Sequence, residues 1–136
     1  MNLYSFDEGD ALLIPTPEIE HLFTVITNPW QYEGSSKVIL VNFSSVKRNR
    51  PFDQTCVVRA DEFAHEFITR DSFVIYKFAR LQEESKLIEL RHTRRIALRG
   101  RVSNDCFRRM AAGIQRSDET TEDIKAAYRH YLQSQY

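Results

Sequence analysis

Apolar positions in the first two thirds of the chain come in short runs separated by turn-forming residues, and helical spacing appears only in the last third. Ala11-Leu12-Leu13-Ile14, opened by Gly9-Asp10 and stopped by Pro15 and Pro17, predicts a short buried strand. Residues 21–27 predict a second, with Phe23, Val25 and Thr27 on one face and Leu22, Thr24 and Ile26 on the other, ended by Asn28-Pro29. Residues 30–36 (WQYEGSS) read as a turn-rich excursion, and residues 37–43 (KVILVNF) as a strand with Ser44-Ser45 at its C-terminal end. A basic loop over 46–54 leads to a strand at 55–59 and a polar or helical turn at 60–64. The densest apolar and aromatic stretch, residues 73–81 (FVIYKFARL), follows the charged turn Arg70-Asp71. Apolar on both faces, it is expected to be the middle strand of the sheet.

Residues 81–90 suit a strand or a helical turn, and residues 92–101 suit a basic strand ending at Gly100. Ser103 is placed as an N-cap, with Phe107, Met110, Ala111 and Ile114 at helical spacing behind it and Arg108, Arg109 and Gln115 on the other side. A last helix is predicted from Thr121, its stripe being Ile124, Ala127, Tyr128, Tyr131 and Leu132, and it is expected to cover either the sheet or a partner. Many short strands followed by helices make this an α+β chain, mainly β with C-terminal helices, its antiparallel strands expected to close into a small barrel or sandwich. Residues 1–8 read as a loose arm, and residues 117–121 as the best hinge.

At 136 residues the chain is long enough for one core. Its net charge is zero, yet residues 86–116 hold nine Lys/Arg against two acids, while the first twenty residues hold five acids and no base. A local field of this kind can attract an anion such as nucleic acid, and a solvated helix face with crossing ion pairs gives the same count. Cys56 and Cys106 are too few for a disulfide framework and are expected to be small core residues. The acidic start lacks the apolar segment of a signal peptide, and no run reaches the ~20 residues that span a bilayer, so a cytoplasmic protein with no membrane association is expected.

The order of these pieces over residues 9–116 resembles the MazF/PemK-like toxin family. Gly9-Asp10 and its strand look like that family's opening, and residues 38–45 (VILVNFSS) like its third strand, which usually ends in Thr or Ser. Arg70-Asp71-Ser72 with the stretch behind it resembles a later core strand, and residues 100–114 the Gly-x-Val step into the closing helix. The resemblance implies a small SH3-like antiparallel β-barrel with its closing helix over residues 1–116, and residues 117–136 as a C-terminal helical extension of the same domain. It implies a metal-independent endoribonuclease that cuts single-stranded RNA, the toxin of a toxin–antitoxin pair, with an antitoxin partner and a homodimer. No cofactor is implied. The family's catalytic arginine at the start of the second strand is His21 here, its following proline is Leu22, and the loop over 15–20 is shorter; Ser44 keeps the family's pattern.

Cleavage by the RNA's own 2′-hydroxyl requires a base, a cation for the phosphorane and an acid for the leaving oxygen. Histidine serves as base or acid near neutral pH. His21 and His65 both stand at strand starts, so meeting ends would make them an acid/base pair, with Ser44 and the cations Lys47, Arg48 and Arg50 at the phosphate. Each histidine also has an acidic neighbour, Glu20 or Glu66, and a surface pairing explains it equally well. Trp30, Tyr32 and Phe52 beside these cations would offer faces for unpaired bases, or Trp30 would plug one end of the barrel. No metal site is expected, because no His, Cys or acid pair has ligand spacing. The alternative to an enzyme is a catalytically inactive β-barrel module that binds nucleic acid or a protein.

Overall fold

The computed structural model describes residues 5–15 and 20–135. The expected stop at Pro17, most of the shortened loop and the first half of the N-terminal arm lie outside the described residues. In chain order the strands are β1 (Asp10–Pro15), β2 (Glu20–Val25), β3 (Trp30–Tyr32), β4 (Ser35–Ser45), β5 (Val57–Val58), β6 (Ser72–Val74), β7 (Arg80–Glu83) and β8 (Ala97–Arg101). The helices are α1 (Glu84–His92), α2 (Asn104–Arg116) and α3 (Glu122–Ser134). All eight strands join one antiparallel sheet whose main path runs β5-β6-β4-β2-β1-β8, with β3 and β7 also on β4.

The organising strand is β4, not the stretch over 73–81. Leu40 pairs with Val25 on one edge and Arg80 on the other, and Lys37 likewise with Trp30 and Glu83. One edge of β4 therefore holds β2 and β3, and the other holds β7 and β6. Its run is apolar on both faces because both are covered: Val38 and Leu40 enter one core cluster, Ile39, Val41 and Phe43 the other. Val38, Ile39, Leu40 and Val41 are fully buried, at roughly 1.5–3 kcal/mol each. Glu33 and Gly34 both have positive φ and form a two-residue turn between Tyr32 and Ser35, so the expected excursion is a hairpin.

The stretch over 73–81 is broken by a 3₁₀ turn at Tyr76–Phe78. Tyr76 leaves the sheet plane, is buried, and donates its hydroxyl proton to the Met110 carbonyl (2.7 Å). Gly113 makes this possible, since a Cβ there would overlap the tyrosine ring and hydroxyl. The aromatic density that suggested a continuous central strand is the anchor of a turn beneath α2.

Between them α2 and α3 cover one face of the sheet and contribute Met110, Ile114, Ile124, Ala127 and Tyr131 to a core shared with β4. α1 and Phe6 cover the other, through Leu87 and the fully buried Phe6. The arm is thus tied to the core through Phe6. α3 docks on the sheet rather than awaiting a partner: the Trp30 indole donates to His130 Nδ1 (3.1 Å), and the Tyr131 hydroxyl accepts from Asn28 N–H (3.1 Å) and donates to Glu8. Nor is the α2–α3 connection a hinge, because Ser117 is fully buried and bonded to Asp53. Both cysteines are buried and free.

No ladder joins β5 to β8 among the described residues, so the sheet is open where a closed barrel was expected. The segment before β6 bridges the gap: Ser103 N–H donates to the Ala64 carbonyl (2.8 Å), and His65 Nε2 bonds the Arg99 carbonyl (2.5 Å). Among the described residues no helix is long and apolar enough to cross a membrane.

Candidate nucleic-acid interface

Antiparallel pairing of β2 with β4 covers Phe23–Asn42, Thr24–Val41 and Val25–Leu40. The same register carried two residues further sets His21 opposite Ser44, but there the strands have parted. His21 stays paired to Ile14 in β1, while Ser44 pairs with Phe73 in β6. The gap is an open groove of about 560 Å³, with Leu13, Leu22 and Phe43 among its apolar lining residues and His21, Ser44, Ser45, Lys47 and Arg70 among its polar ones. Phe67, 45% exposed, also lines it.

Two hydrogen bonds set the cations. Val46 N–H donates to the Asp71 carbonyl (2.9 Å), fastening the residue before Lys47 to the residue after Arg70. The Asp71 carboxylate accepts from Ala60 N–H (2.9 Å), which holds that turn to the rest of the sheet. Ser44, Ser45 and Lys47 also wall a smaller recess with Arg50, Pro51, Phe52 and Phe73, so the two are one continuous trough. Phe52 and Phe73 have ring centroids 5.0 Å apart. Among the described residues no carboxylate lines either part. A histidine, serine hydroxyls, cations and aromatic faces without an opposing charge suit a phosphodiester with unpaired bases.

Of the expected site residues, His21, Ser44 and Lys47 meet in the groove and Arg50 lines the adjoining recess. Arg48 is exposed on the same loop but lines neither. His65 does not join them. It is buried, its Nε2–H donates to the Arg99 carbonyl of β8, and its Nδ1 accepts from Phe67 N–H (3.0 Å) in its own segment, so both ring nitrogens are engaged by backbone. The two-histidine acid/base pair is therefore not assembled. Trp30 is 6% exposed and sits in the core with Tyr131, ring centroids 5.2 Å apart, so it offers no face to a base. Arg70, Phe67 and Phe73 belong to the trough and were not among the expected binders; the signal for Arg70 was the charged turn Arg70-Asp71 just before a strand, which begins opposite Ser45. Among the described residues no group of three His, Cys, Asp or Glu side chains is placed to hold a metal ion.

The chain matches no family model, no curated protein and no solved structure.

Proposed function

We propose that this chain is a metal-independent endoribonuclease acting on single-stranded cytoplasmic RNA, in the manner of the MazF/PemK-like toxins. The observation that carries the reading is the convergence of His21 and Ser44, from different strands, on one groove with Lys47 and Arg70, which no carboxylate lines among the described residues. In this reading His21 takes the 2′-hydroxyl proton, the 2′-oxygen–phosphorus bond forms, and the phosphorus–5′-oxygen bond breaks. Lys47 and Arg70 meet the charge that builds on the phosphorane, the Ser44 hydroxyl donates to a non-bridging oxygen, and solvent protonates the leaving 5′-oxygen in the open groove. The open sheet, bridged at Ala64 and His65, stands for a small SH3-like barrel. An antitoxin that covers the groove and a homodimer belong to the same proposal.

Cleavage of a mixed-sequence single-stranded RNA, with and without EDTA, tests it. Cleavage should survive EDTA and fall by ~100-fold or more in His21→Ala, the usual range for a lost general base being about 10² to 10⁴. His65→Gln should change stability rather than the pH dependence of cleavage. Activity unchanged in His21→Ala would remove the assignment. The engagement of His65 by backbone favours a second reading, a catalytically silent module that binds single-stranded RNA: among the described residues His21 is then the only histidine lining the groove. RNA binding without cleavage, after any copurified inhibitor is removed, would select it.

A further inference from the structure

The trough does not stop at Phe52. A third recess, of about 570 Å³, shares Pro51, Phe52 and Phe73 with the middle one and continues past Lys77 to Phe78. Phe78 is 60% exposed although Tyr76, in the same 3₁₀ turn, is buried. Lys77 Nζ lies 5.2 Å from the Phe78 ring centroid, a cation over an aromatic face. The two carboxylates here are Asp53 and Glu119. Asp53 accepts from the Thr55 backbone N–H, the Thr55 hydroxyl and the Ser117 hydroxyl, and these bonds outweigh burial and hold its carboxyl below the usual range. Its carboxylate is thus engaged by three donors of the protein itself, and Lys77 is the cation that this end of the trough offers beside the phenylalanine faces.

We propose that this recess is a base-stacking subsite: nucleobases on one side of the phosphate addressed by His21 and Ser44 stack on Phe52 and Phe78. The backbone follows Lys47 and Arg50 and is met again by Lys77. This rests on the ribonuclease reading and names how its substrate is chosen: unpaired RNA is taken because its bases are free to leave the strand axis, and a duplex is refused. Charge complementarity along Lys47, Arg50, Arg70 and Lys77 selects a polyanion, and the aromatic faces between them select one with planar bases.

The test is fluorescence anisotropy on the full chain with a labelled single-stranded RNA of about ten nucleotides, one of about three, and a duplex of the longer sequence, site sizes in such grooves being about 4 to 16 nucleotides. Phe78→Ser, whose ring is outside the core, should weaken binding of the longer strand by about 5- to 100-fold and leave the shortest strand's binding as it is in the unsubstituted chain. Phe52→Leu and Lys77→Ala should act in the same direction, with melting curves confirming the folds. Equal weakening of long and short strands, no weakening of the long strand, or duplex binding as tight as single-strand binding would overturn the subsite. Cleavage of the longer strand that is indifferent to Phe78→Ser overturns the subsite and keeps the ribonuclease. Length-selective, Phe78-dependent binding without any cleavage keeps the subsite and overturns the ribonuclease.

Discussion

Asp53 shows how a single side chain ties the trough to the helices. Burial by itself would raise its pKa, but the bonds from Ser117 and Thr55 outweigh that and set it below its usual 3.8. A carboxylate whose folded pKa is lowered adds stability that is fully present above 3.8 and disappears as pH falls through the lowered value. Asp53→Asn should therefore lower the melting temperature at pH 7, and the deficit should shrink as pH falls below 3.8. Melting curves at pH 3, 5 and 7 check it; a deficit of the same size at all three would mean that lost packing, not charge, carries the effect. At this scale the sequence offered His21 and Ser44 through the order of strands in the resemblance, each near a strand end, and the groove holds both. His65 and Trp30 were not. Their partners, the Arg99 carbonyl and His130, lie 34 and 100 residues away, and no local pattern announces that a ring nitrogen is already engaged.

Among the elements, β4 is central because its neighbours are interrupted and it is not. Asn28-Pro29 separates β2 from β3 on one edge, and the 3₁₀ turn separates β6 from β7 on the other. The rule that a strand apolar on both faces is central holds here, but it applied to KVILVNF. The rival stretch FVIYKFARL is similarly rich in apolar residues but spends its tyrosine on α2. That contact gives a prediction: Gly113→Ala should destabilise the fold by about 1–3 kcal/mol through overpacking against Tyr76. Tyr76→Phe should not relieve it, because the ring carbon nearest the hydroxyl is itself in the way, whereas Tyr76→Leu should make the alanine nearly neutral. Urea midpoints of the cycle decide it, and additive losses would show that the two residues do not share this space. The β3–β4 turn gives the opposite sign. Glu33 holds a left-handed conformation beside Gly34, so Glu33→Asn, which makes the preferred Asn-Gly pair, should stabilise by up to ~1 kcal/mol. A lower urea midpoint in that variant would mean the Glu33 side chain is itself a stabilising contact.

For the molecule as a whole, the question is which charges make the field. The sequence points to residues 86–116, but the fold pairs three of those cations: Lys86 with Glu89, Arg101 with Asp10, and Arg109 with Glu62 and Asp105. The cations that share a concave surface are instead Lys47, Arg50, Arg70 and Lys77, from loops and turns that only the sheet's partner exchange at the end of β4 brings together. Single-strand binding loses affinity with salt at a logarithmic slope of about 0.7 per phosphate neutralised. Four engaged cations give a slope near −3 and a loss of about 50-fold between 50 and 200 mM salt. Lys47→Ala and Arg70→Ala should each reduce the slope by about 0.7 and weaken binding across RNA sequences alike. Arg95→Ala and Arg108→Ala, both at exposed positions in the basic quarter, should change neither slope nor affinity. A salt titration of the five proteins separates two electrostatic pictures with the same net charge of zero. If the slope follows Arg95 and Arg108 instead, the RNA lies along β8 and α2, and the trough is not the interface.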